Sequence, residues 1–202
     1  AVEKGNDGGF GASVGISGNY IVVGSPYNRT KGDNNLSGTA YTYFCDSSGS
    51  WGYEQRLSVG NETAGHAFGS SVGIDGDVAA VGSPHGDNSL HVYRVKLVSG
   101  NPIWHHEAKL VSKNIDFEHE FGSIVAVSRN VIVTNSPRNE IHANHHGIVY
   151  VYRWSLSTNW QVDTILTPSG SESAAEFGCS LDISDDVVLV GSCGHGEQPG
   201  SV

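Results

Sequence analysis

Two strings, Gly11-Ala-Ser13-Val-Gly15 and Gly69-Ser-Ser71-Val-Gly73, carry the Gly-x-Ser-x-Gly spacing of a nucleophilic serine elbow. The elbow needs a strand, a sharp turn and a helix, so that the serine is held exposed at the turn. Here each serine falls inside a predicted strand and no helix pattern follows, so a small residue packed between sheets is the expected reading. Histidine offers metal-binding chemistry, and His142-Ala-Asn-His145-His146 is the densest cluster among ten histidines. Only Glu140 lies beside it and no cysteine does, whereas a closed metal site takes four placed ligands; a solvated loop is expected. His105 and His106 are neighbours on a predicted strand, so their rings point to opposite faces. Glu118, Glu120 and Glu176 are acidic, but nothing pairs them with a nucleophile. No catalytic residue, cofactor or metal site is expected on these grounds.

Three Asn-x-Ser/Thr sequons begin at Asn28, Asn35 and Asn61, all in predicted loops where glycan could be attached. The chain has three cysteines, Cys45, Cys179 and Cys193. Cys179 and Cys193 fall in one predicted hairpin turning at Asp185-Asp186. An unbroken register places Cys179 opposite Ser192 and Cys193 opposite Gly178. The thiols then project to opposite faces, and a disulfide would need a bulge. Two free or otherwise paired thiols are expected.

What must position these groups is a β-rich chain. It has 202 residues, 27 of them glycine, no methionine, and Val, Ile, Tyr and Thr clustered between turn formers. The formal net charge is −10, which repels phosphate backbones and argues against a nucleic-acid partner. No apolar run reaches the roughly 18 residues of a spanning helix, so membrane insertion is not expected. The first residue is Ala1 rather than Met, which reads as a processed product or a fragment.

Four segments share one pattern: Phe10-Gly-Ala-Ser-Val-Gly-Ile to Gly-Ser-Pro26, Phe68-Gly-Ser-Ser-Val-Gly-Ile to Gly-Ser-Pro84, Phe121-Gly-Ser-Ile-Val-Ala-Val to Asn-Ser-Pro137, and Phe177-Gly178-Cys-Ser-Leu-Asp-Ile to Gly-Ser-Cys193. The copies begin 58, 53 and 56 residues apart. After the first three come an aromatic segment (Tyr41-Thr-Tyr43, Tyr93, Tyr150-Val-Tyr152) and a Trp followed six residues later by Leu: Trp51 and Leu57, Trp104 and Leu110, Trp160 and Leu166. Each unit reads as four strands. The first pair is joined by a two-residue turn at Gly18-Asn19, Gly76-Asp77, Arg129-Asn130 or Asp185-Asp186, of which Arg129 fits the turn chemistry least well. Strands one and two are apolar on both faces and must be covered on both sides. The fold class is therefore all-β, a propeller of four-stranded antiparallel blades. One repeat region spans residues 1–202, with blades at 10–59, 68–112 and 121–167 and a partial blade at 177–202. Phe10, Phe68, Phe121 and Phe177 are expected at equivalent buried positions, and the tryptophans as packing residues before sugar platforms.

The Phe-Gly start (Gly11, Gly69, Gly122, Gly178) with Gly-Ser-Pro closing strand two (Pro26, Pro84; Asn-Ser-Pro at Pro137) resembles the FG-GAP repeat of integrin α-chain propellers. The resemblance implies a non-enzymatic module for adhesion, recognition or assembly at an extracellular, cell-surface or luminal site. Related blades often hold calcium between strands one and two. Here that connection is a two-residue turn with no cage of oxygen donors, so no calcium is expected. The long connections all fall at one end of the blades, and a protein or glycan partner is expected there. A structural subunit of a filament or complex, and an accessory propeller of a hydrolase, are the alternatives. Propellers close with about four to eight blades. About three further units are therefore expected before Ala1 or after Val202, completing a ring of about seven by the resemblance.

Overall fold

The computed structural model describes residues 8–28, 37–58, 67–85, 88–112, 120–137, 147–168 and 176–193. Three four-stranded antiparallel sheets run in chain order. They comprise β1 (Ser13–Ser17), β2 (Tyr20–Ser25), β3 (Thr39–Cys45) and β4 (Trp51–Leu57); β5 (Val72–Asp75), β6 (Val78–Ser83), β7 (Ser89–Val98) and β8 (Asn101–Val111); and β9 (Val125–Ser128), β10 (Val131–Ser136), β11 (Ile148–Ser155) and β12 (Asn159–Leu166). A fourth sheet is the hairpin of β13 (Glu176–Ser184) and β14 (Val187–Cys193). No helix occurs among the described residues. These sheets are propeller blades, three of them whole.

The sheets stack face to face in sequence order, and three apolar clusters are the three interfaces. Val22, Ala40 and Leu57 of the first blade meet Phe68, Val72, Val81 and Trp104 of the second. Ala80, Leu90 and Val92 of the second meet Phe121, Ile132, Tyr150 and Trp160 of the third. Val133, Val149 and Val151 meet Ile183, Val188 and Val190 of the fourth. This two-sided burial is why strands one and two carry apolar residues on both pleat faces.

The Phe-Gly pair precedes strand one rather than starting it in the first three blades. It occupies the centre of a turn in which Ala12, Ser70 and Ser123 donate their N–H to the carbonyls of Gly9, Ala67 and Glu120. The Gly at the third turn position has φ of +88° (Gly11), +91° (Gly69) or +87° (Gly122), the type II conformation that excludes side chains. Gly11, Gly69 and Gly122 then donate to the carbonyls of Gly24, Gly82 and Asn135 on strand two, which hangs the Phe over the blade interface. Pro26, Pro84 and Pro137 directly follow β2, β6 and β10, where a missing N–H costs no ladder bond.

Two expectations are corrected on the first blade. Phe68 and Phe121 are fully buried, but Phe10 is 55% exposed. Trp104 and Trp160 are buried, but Trp51 is 45% exposed. Phe68 and Trp104 are covered by the blade before them, and among the described residues nothing covers the leading face of the first blade. Val14 and Ile16 lie bare there for the same reason, as do Val187 and Leu189 on the trailing face of the fourth. Phe177 is half-buried.

The cysteine expectation is also corrected: Cys179 and Cys193 form a disulfide with Cα atoms 6.0 Å apart. From Ser184↔Val187 to Ser180↔Gly191 the hairpin keeps the expected register, and then it shifts to Phe177↔Ser192 and Glu176↔Cys193. The bulge, with Gly178 at φ +84°, carries Cys179 onto the side of Cys193. Cys45 is the free cysteine among the described residues.

Position in the stack sets the weight of each Phe. Phe68→Ala is expected to cost about 3–5 kcal/mol by urea unfolding, and Phe10→Ala under about 1 kcal/mol. Equal losses would contradict the stacking order.

Candidate binding faces and the contacts between blades

Blade register is fixed by polar contacts that recur from one interface to the next. The serines of the two Gly-x-Ser-x-Gly strings are the first set. Ser13 Oγ donates to the Gly69 carbonyl at 2.9 Å and Ser71 Oγ to the Gly122 carbonyl at 2.7 Å. They are inter-blade donors, committed to backbone and not exposed at an elbow. Gly24 and Gly82 lie beneath them because a Cβ there would collide with the serine oxygen and with that same carbonyl. The third copy has Ile124 in place of the serine and Asn135 in place of the strand-two glycine. The Asn135 side chain takes over: Nδ2 donates to the Gly178 carbonyl at 2.9 Å, while Oδ1 accepts from Ser123 Oγ and the Ile124 N–H.

A second set staples the two-residue turns. The last residue of strand one accepts the first turn N–H of the next blade: Gly76 to Ser17 Oγ, Arg129 to Asp75 Oδ2 and Asp185 to Ser128 Oγ, at 2.7–3.1 Å. Those donors have φ of +56°, +52° and +52°. The hydrogen bond and the Arg129–Asp185 ion pair hold Arg129 in a conformation its side chain does not favour.

The third set begins with a bulge between strands three and four, at Thr42/Tyr43, Val92/Tyr93 and Val151/Tyr152. The residue left without a cross-strand partner is Glu54, Glu107 or Asp163, always three after the Trp. Glu107 accepts from Arg94 Nε on its own blade and from the Trp160 indole N–H of the next, both at 2.9 Å. Arg94 also reaches Asp77 and lies 4.9 Å over the Trp154 ring. Glu54 faces the Trp104 indole without closing a bond of standard geometry, and burial raises its pKa. Gln55 exchanges two hydrogen bonds with the Trp104 backbone instead. The Trp160 indole is therefore an inter-blade donor as well as a packing group. The signal was present as Trp-x-x-Glu/Asp in three copies, but a bulge cannot be read from side-chain types.

Histidine chemistry appears where it was not expected. His105 and His106 do not act together; His106 Nε2 lies 3.0 Å from Nδ1 of the buried His91, whose Nε2 is 3.0 Å from Ser89 Oγ. Tyr93 packs on His106 and Phe68 on His91. The equivalent places hold Tyr41 and Tyr53 in the first blade, and Tyr150 and Val162 in the third. Among the described residues no group of three or more metal-ligating side chains converges. His142, His145 and His146 lie outside the described residues, as do Asn35, Asn61 and Glu118. Asn28 is half-buried, and its Nδ2 donates to the Tyr41 hydroxyl. Glu120 sits at the turn before Phe121 with φ +50°, and Glu176 opens β13.

The short-turn end has an open cavity of about 480 Å³ between the first two blades, lined by Tyr20, Phe44, Asp77, Val95 and Leu97 among others. At the opposite end emerge the connections from strand two to three and from strand four to the next blade. Most of their residues lie outside those described.

These blades define a β-propeller repeat protein. The FG-GAP repeat profile matches residues 4–43, 51–94 and 160–202, well over half of the chain, and the chain belongs to the FG-GAP repeat family. The matched segments omit the third Phe-Gly start, whose Ile124 and Asn135 depart from the pattern although its sheet is complete. A search of curated proteins finds no match.

The histidine pair gives a pH dependence with a defined sign. Burial first, and then Lys109, lowers the His106 pKa below its ordinary 6.5. The folded state therefore favours the neutral ring. Stability is full above about pH 6.5 and falls as the pH drops through the depressed folded pKa. The melting temperature should decline between pH 7.5 and 5, and His106→Tyr, the first-blade residue, should flatten that decline. An unchanged slope would rule the pair out as its source.

Proposed function

We propose that this chain is a non-enzymatic binding or scaffolding module of the secretory or extracellular space, and that it engages a protein or glycan with its long-connection end. The observation that carries the reading is the asymmetry of the two ends. One is stapled turn to turn by Ser17, Asp75 and Ser128. The other carries the long connections, those joining β2 to β3, β4 to β5, β8 to β9, β10 to β11 and β12 to β13. Recognition residues concentrate in loops held on a rigid scaffold. The elbow-like serines support a non-catalytic reading, since both oxygens are spent on backbone carbonyls. The disulfide fits an oxidising compartment, and the sequons at Asn28, Asn35 and Asn61 are candidate glycan sites there.

The bare leading and trailing faces favour a second reading, a structural subunit whose blades are covered by others in a larger assembly. An accessory role beside a hydrolase domain has no observation of its own in its favour.

The test is a screen of the purified chain against glycan arrays and extracellular proteins. It is followed by replacing residues 29–36 and 138–146 with short Gly-Ser linkers. Loss of binding with an unchanged melting temperature is the expected result. Binding that survives both replacements but is lost in a Leu97→Asp or Asp77→Lys variant would move the site to the short-turn cavity.

A further inference from the structure

We propose that Asp163 is the acceptor for an indole N–H carried by the outer hairpin of an FG-GAP blade, which adds to the open edge of β14 and completes the fourth sheet. The contact is already made inside the chain. At the second interface the bulged Glu107 is aligned by Arg94 Nε at 2.9 Å and takes the Trp160 indole from the following blade at 2.9 Å. At the first, Glu54 holds the same bulge position, but its carboxylate and the Trp104 indole close no hydrogen bond. Asp163 holds the same bulge position on the third blade. Arg153, the counterpart of Arg94, already donates Nε to it at 3.2 Å. The acceptor and its aligning guanidinium are in place, and the indole is the missing member. Trp51 is the opposite half, an indole 45% exposed on the leading face.

The edge that would receive the hairpin is equally specific. β2, β6 and β10 each pair on both sides, whereas β14 pairs only with β13 among the described residues. An open edge of this kind is a template for strand addition. Trp51, Trp104 and Trp160 already belong to the outer hairpins of the three whole blades, so the indole is carried by another hairpin of the same type. The occupant fits one description: a β-hairpin with an aromatic third strand and a Trp opening the fourth, as at Tyr150, Tyr152 and Trp160.

The experiment supplies that hairpin. A copy of residues 147–166 is appended after Val202, so that residues 194–202 serve as a connection equal in length to 138–146. The extension should raise the melting temperature by about 3 °C or more, the shift of roughly one hydrogen bond's worth of stability in a chain this size. Asp163→Ala and Phe in place of the appended Trp should then be non-additive by a similar margin. The cycle of Glu107→Ala with Trp160→Phe, measured in the parent chain, sets the scale. An appended hairpin that leaves the melting temperature unchanged would overturn the proposal. So would one that stabilises the chain with no Asp163–Trp coupling while the Glu107–Trp160 cycle shows it.

Discussion

The fold depends on how closely one blade's backbone can approach the next. A serine hydroxyl in strand one crosses the interface to the carbonyl of the glycine after the next Phe, and it can do so only because the strand-two residue beside it is glycine. Ser, strand-two Gly and the Phe-Gly turn are therefore one device. The turn needs glycine for its positive φ, its carbonyl is then aimed backward at the preceding blade, and the Phe is delivered onto that blade's apolar face. One such hydrogen bond contributes about 1 kcal/mol net. Its larger effect is on register, because an offset blade would bury both the carbonyl and the hydroxyl without partners.

The third copy shows that the carbonyl, rather than the serine, is the fixed requirement. When Ile124 removes the hydroxyl, the room above strand two is filled by Asn135, whose amide donates to the Gly178 carbonyl and whose oxygen satisfies the N–H of Ile124. Two changes that each look like decay of the repeat are compensating halves of one substitution. A sequence profile scores each position alone, in keeping with the matched segments leaving this copy's start unassigned.

The strand order, the two-residue turns and the blade stacking were legible in the sequence, because each follows from period, glycine placement and two-sided apolarity. What stayed hidden depends on geometry that residue types do not encode. The disulfide needed a bulge at Gly178 that breaks the register of an otherwise regular hairpin. The role of Glu54, Glu107 and Asp163 needed bulges that turn a strand residue toward the neighbouring blade. Phe10 and Trp51 matched their counterparts in sequence but not in burial, since burial belongs to the interface and not to the repeat. The histidine pair was missed for a related reason. Neighbours in sequence on one strand point apart, whereas His91 and His106 meet diagonally across two strands.

The same contacts explain why one end of the blades is free to change. Along the short-turn end, each turn N–H is held by the previous blade, from Ser17 through Asp75 and Ser128 to Asp185. Lengthening any of these turns would unseat a donor at φ near +50° and leave an acceptor side chain without its partner. The connections at the other end leave their blades beyond the last ladder bonds, and loop closure costs little more as such a connection grows. Sequence change is thus confined by hydrogen bonding at one end and tolerated at the other. The scaffold keeps its register whatever those long connections carry, which is the physical condition for changing one end of a blade without disturbing the other.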